Sequence, residues 1–79
     1  MNILDELEQV FSTIQKRYHE TAHVRDDDVI DIEVECIEEG KEFKVMHQYI
    51  DALKKAGFKA FAYSCNDSIG KFWALVEHV

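Results

Sequence analysis

His19-Glu20-Thr21-Ala22-His23 is the most specific chemical spacing in this chain. On a helix, two histidines four residues apart share one face and can hold a zinc ion between them. The glutamate after the first can then take a proton from a zinc-bound water. Asp26, Asp27 or Asp28 could supply a third, oxygen ligand. A second group is denser. The segment DDDVIDIEVECIEE, Asp26 to Glu39, holds eight of the sixteen acidic residues and no Lys or Arg. Within it Ile30, Ile32, Val34 and Cys36 alternate with Asp31, Glu33 and Glu35. That period of two predicts a half-buried strand carrying a row of carboxylates on its outer side.

The elements must place these groups. Ile3, Leu4, Leu7, Val10, Phe11, Ile14 and Tyr18 recur at helical spacing and predict an amphipathic helix from Asn2 to Ala22. The five-residue motif on its end resembles that of the zinc peptidases. The resemblance implies His19 and His23 as ligands and Glu20 as general base. On such a helix, however, both histidines lie more than about 90° from the centre of the apolar stripe, and so face solvent. Arg17 and Arg25 flank them, and 79 residues leave little chain to wall a substrate cleft. The expectation is therefore no metal centre, no cofactor and no enzyme, with His19 and His23 as an opportunistic metal contact at most. Cys65 has no histidine beside it in sequence to act as a base. Asn66-Asp67-Ser68-Ile69-Gly70 joins two strands and does not open a helix, so it is not a phosphate loop.

Two readings compete after the acidic strand. Glu42 to Ala56 could be one long helix. Alternatively Glu39-Gly40 turns a hairpin, which pairs Cys36 with Phe43, Val34 with Val45 and Glu35 with Lys44. The hairpin is preferred, because apolar then meets apolar and the charge contact is attractive. A short helix from His47 to Ala56 follows, stopped by Gly57. Phe58–Cys65 and Lys71–Val79 are aromatic and β-branched enough for strands. Closing the loop between them sets Tyr63 opposite Trp73, Phe61 opposite Leu75, Ala62 opposite Ala74 and Ala60 opposite Val76. The expected fold is a single α+β domain over residues 1–79, α-β-β-α-β-β, with a largely antiparallel four-stranded sheet and two helices packed on one face. No repeat is visible in the sequence.

The alanine-rich side of the last hairpin suits close helix packing. Asp31, Glu33, Glu35, Lys44, Met46, Lys59, Phe61, Tyr63, Lys71, Trp73, Leu75 and Glu77 then share the outer face. Large aromatics on an outer face mark an interaction site. The net charge of −7 excludes a direct nucleic-acid or anionic-membrane ligand, since both need a basic footprint. It favours a protein partner with a basic surface. Asp31, Glu33, Glu35, Phe61, Tyr63 and Trp73, with Asp26, Asp27 and Asp28, are the expected partner-binding residues. Small acidic inhibitors of phages and mobile elements, anti-restriction and anti-CRISPR proteins among them, are similar in size and charge. That resemblance implies an inhibitor docked on a nucleic-acid-binding surface. A homodimer formed through the aromatic face is the alternative. The acidic, amphipathic MNILDELEQV reads as helix and not as a leader. Cys36 and Cys65 read as reduced thiols, which predicts a cytoplasmic setting.

Overall fold

Six elements follow in chain order in a computed structural model that describes residues 2–26, 29–36, 38 and 40–78. They are α1 (Ile3–Phe11), β1 (His19–Asp26), β2 (Val29–Glu35), α2 (Glu42–Lys55), β3 (Lys59–Asn66) and β4 (Lys71–Glu77). The strands form one antiparallel sheet in the order β1-β2-β4-β3. The domain is thus the expected α-β-β-α-β-β fold with a four-stranded sheet and two helices. β2 and β3 both run antiparallel to β4, so β2-α2-β3 is a split β-α-β unit with β4 inserted between its strands. The chain consists of two α-β-β halves whose second strands pair at the centre, a repeat of architecture without a repeat of sequence.

The helix expected to reach Ala22 ends at Phe11. Asn2 caps its start by accepting the Asp5 N–H at 2.9 Å. At its end the Ser12 and Thr13 hydroxyls donate back to the Gln9 and Val10 carbonyls at 2.7 and 2.6 Å. Such local bonds compete with further helical turns. Ile14 and Tyr18 kept the periodicity going in the sequence because both pack on the core from the loop that follows.

The first hairpin is real, but its partner strand lies upstream. β2 pairs with β1, setting His19 against Glu35, Glu20 against Val34 and His23 against Asp31. The expected pairs of Cys36 with Phe43, Val34 with Val45 and Glu35 with Lys44 do not form. Glu42 to Lys55 is one helix, with Val45, Tyr49, Ile50 and Leu53 buried at helical spacing and Phe43 exposed. Gly40 takes φ +81 before the helix, and the Glu42 carboxylate accepts its N–H at 3.2 Å. Hairpin and helix both bury Val45, which is why cross-strand pairing did not separate them.

In the second hairpin the expected pairs Ala60–Val76, Phe61–Leu75 and Ala62–Ala74 form. A bulge between Ala62 and Ser64 then shifts the register, so Ser64 and not Tyr63 stands opposite Trp73. Gly70 closes the loop at φ +66, where a Cβ would stand 2.3 Å from the Cys36 carbonyl oxygen.

Leu7, Val10 and Phe11 of α1 and Val45, Tyr49 and Leu53 of α2 bury one sheet face, that of Ile30, Ile32, Val34, Ala60, Phe72, Ala74 and Val76. Tyr49 is fully enclosed, with its ring edge-on to Phe11 at 5.6 Å and Phe72 at 5.9 Å.

Candidate functional site

Among the described residues no helix packs on the other sheet face. Alternation along β2 and β4 sends Asp31, Glu33, Glu35, Lys71, Trp73, Leu75 and Glu77 outward while their neighbours are buried. Across the four strands the face reads in rows. One row holds His23, Asp31, Leu75 and Phe61; the next holds Thr21, Glu33, Trp73 and Ser64; the last holds His19, Glu35, Lys71 and Asn66. Lys44 and Met46, expected here, lie on α2, and the positions beside the acidic row belong to β1.

Hydrogen bonds tie the aromatics to the carboxylates. The Tyr63 hydroxyl donates to both Asp31 oxygens at 2.8 Å. Phe72 lies between Cys65 of β3 and Val34 of β2 in one row, so β4 separates these two strands and the Tyr63 side chain must cross it to reach Asp31. The bulge frees Tyr63 from a paired position. Trp73 Nε1 donates to Glu33 Oε1 at 3.0 Å, and Lys71 Nζ lies 3.4 Å from Glu33 Oε2. The Trp73 donor, helped by Lys71, holds the Glu33 carboxyl below the usual carboxylate range. Asp31 in turn pushes the Tyr63 phenol up, since its hydrogen bond favours the protonated form. Arg25 Nη1 stands 4.0 Å from Asp31 Oδ2. Among the described residues the Glu35 side chain makes no hydrogen bond or ion pair, and its cross-strand neighbours are His19 and Lys71. Phe61 and Tyr63 are exposed at 57% and 49%, while Trp73 and Leu75 are half-buried. Val29, Lys59, Phe61, Leu75 and Glu77 line a depression of about 240 Å³ at one end.

The structure therefore brings Asp31, Glu33, Glu35, Phe61, Tyr63 and Trp73 onto one face. Asp26 ends β1 beside them, and Asp27 and Asp28 lie outside the described residues. Sequence reasoning missed His19, Thr21, His23 and Arg25, which join this face from β1.

The motif His19-Glu20-x-x-His23 lies on β1 and not on a helix. Four residues of strand separate its two histidines by about 13 Å, too far to share one ion. Glu20 points to the opposite face, where the Tyr49 hydroxyl donates to it at 2.5 Å and Arg17 at 2.8 Å. No cluster of three metal-ligating side chains occurs among the described residues. Cys36 is buried and Cys65 half-buried, and burial pushes both thiols up, away from the reactive thiolate. No helix among the described residues is long and apolar enough to cross a membrane.

A groove of about 410 Å³ runs between α1 and α2. Its charged lining groups are Lys55 and Glu6, and Glu6 is engaged by His78 at 2.6 Å. Nothing in it pairs a nucleophile with a base.

Fold and face together describe a two-layer α+β domain whose second sheet face carries no helix among the described residues. No protein-family model matches the chain, and no curated protein matches it.

Proposed function

We propose that the protein is a non-enzymatic binding module that docks its uncovered sheet face on a basic surface of a protein partner. Such a module would act as a small inhibitor or regulator. The observation that carries this reading is the outer face itself. Both helices lie on the other side, while this side presents aromatic rings and carboxylates locked to each other by hydrogen bonds. Side chains fixed before binding lose less entropy in the complex. Exposed Tyr and Phe beside half-buried Trp73 give the apolar anchors that dominate interface energy. A row of carboxylates at a repeat of about 6.7 Å could imitate phosphates, but Lys71 facing Glu33 and Arg25 near Asp31 give this face mixed charge. Local pairing with basic side chains draws more support than imitation of a nucleic acid.

The same mixture of signs favours the second reading, a homodimer formed face to face, because a two-fold interface must complement itself.

For the first reading, association with a basic partner should slow as salt rises. Replacing Asp31, Glu33 and Glu35 together by Ser should abolish it. Unchanged stopped-flow association rates in that triple variant would sink the proposal.

A further inference from the structure

Resting on the reading of the outer face as a docking surface, we infer that its ligand is an arginine-bearing extended segment of a partner protein, with one guanidinium seated on Tyr63 and Asp31 and a second at Glu35. Four observations converge. The Tyr63 hydroxyl takes one site on each Asp31 oxygen. A carboxylate offers about four acceptor sites, and a hydroxyl equidistant from both oxygens fills the position between them, so each oxygen keeps its outer site, where one guanidinium N–H can bond while the plane lies on the Tyr63 ring. Tyr63 is 49% exposed and its ring is tethered at the hydroxyl. A fixed, accessible aromatic face stacks a planar guanidinium and serves the compact, strongly hydrated ammonium of lysine less well. Arg25, from the neighbouring strand, reaches Asp31 only to 4.0 Å, so the chain's own guanidinium leaves the carboxylate unsaturated. The Glu35 carboxylate makes no hydrogen bond or ion pair among the described residues and lies four positions along β2 from Asp31. That spacing is about 13 Å, the separation of two residues four apart in an extended peptide. Charge complementarity favours a cation at these two carboxylates, while the basic Lys71 and Arg25 of the face stand against Glu33 and Asp31.

The test is titration of the isotope-labelled full chain with the capped peptide GRGGGRG and with its lysine counterpart GKGGGKG, read by amide chemical shifts. Both carry the same charge. The arginine peptide should bind about two- to five-fold more tightly, with shifts concentrated at Asp31, Glu35 and Tyr63. Tyr63→Ala should bring the two affinities together, and Asp31→Asn should weaken both. Equal affinities in the wild-type chain, with binding still lost in Asp31→Asn, overturn the arginine preference and leave the docking reading standing. No shift on the outer face with either peptide overturns both. Concentration-dependent shifts on this face without any peptide overturn the inference in favour of a second copy of the chain as occupant.

Discussion

Tyr49 and Trp73 show two different uses of one polar atom on an aromatic ring. The Tyr49 hydroxyl accepts the Tyr18 N–H at 2.9 Å and donates to Glu20 at 2.5 Å. Burial, with the Glu20 bond, pushes this phenol well above its ordinary range. Arg17 completes the cluster by bridging Glu20 and Glu8, and this ties α1 and the loop after it to β1. Tyr49→Phe keeps the ring contacts but strips Tyr18 and Glu20 of a partner. It should cost about 1–3 kcal/mol, read as a lower urea midpoint with an unchanged slope. Trp73 acts on the open side. Its bond to Glu33 lowers the folded-state pKa of that carboxyl. A depressed folded pKa gives stability that is present above the unfolded value of about 4.3 and is lost as pH falls through the folded value. Trp73→Phe removes the donor. The difference in urea midpoint between variant and wild type should therefore be larger at pH 7 than at pH 2. Equal differences at both would mean the indole bond does not favour the ionised carboxylate.

At the scale of elements, legibility followed burial. β2 and β4 show the alternation of one buried and one open face, and both were visible in the sequence. The pairs Ala60–Val76, Phe61–Leu75 and Ala62–Ala74 were equally readable, because apolar partners face each other there. β1 left no such trace. From Thr21 to Asp26 it is exposed on both faces, so no hydrophobic period marks it, and its His-Glu-x-x-His spacing suggested a helix. The expected element order survived only because a strand assigned downstream of the acidic row exists upstream of it. The acidic side of the candidate site was legible for the same reason as β2. Its histidines and Arg25 were not, since they ride on β1, and the bulge that carries Tyr63 to Asp31 has no sequence mark short of the pairing itself. The same exposure makes a prediction about dynamics. β1 is an edge strand with little apolar burial, and local opening costs least where buried contacts are few. Native-state hydrogen exchange should find β1 amides bonded to β2 exchanging well before the β2–β4 amides at the centre. Uniform protection across the sheet would contradict this.

For the molecule as a whole, the decisive quantity is what covers the outer face. A chain of 79 residues buries only about 60% of its unfolded surface, so a further contact would stabilise it. Two physical terms oppose self-association through this face. The whole chain carries a net charge of −7, and two copies brought together repel at every separation within the screening length. The polar tips of the aromatics are also committed within one chain, the Trp73 indole N–H to Glu33 and the Tyr63 hydroxyl to Asp31, so a second copy brings its own carboxylates against these. A second copy would have to complement these carboxylates with the Lys59, Lys71 and Arg25 of its own face, which are fewer than a uniform basic partner offers. The expected outcome is a monomer at micromolar concentration by sedimentation equilibrium, with Trp73, the one tryptophan, open to acrylamide quenching. Raising the salt should then move the molecule toward association if the charge term is what holds copies apart, while it weakens binding to a basic partner. The opposite signs of these two salt effects separate the readings in one pair of experiments. A dimer that persists at low salt, with Trp73 protected, would transfer the face from partner binding to self-assembly.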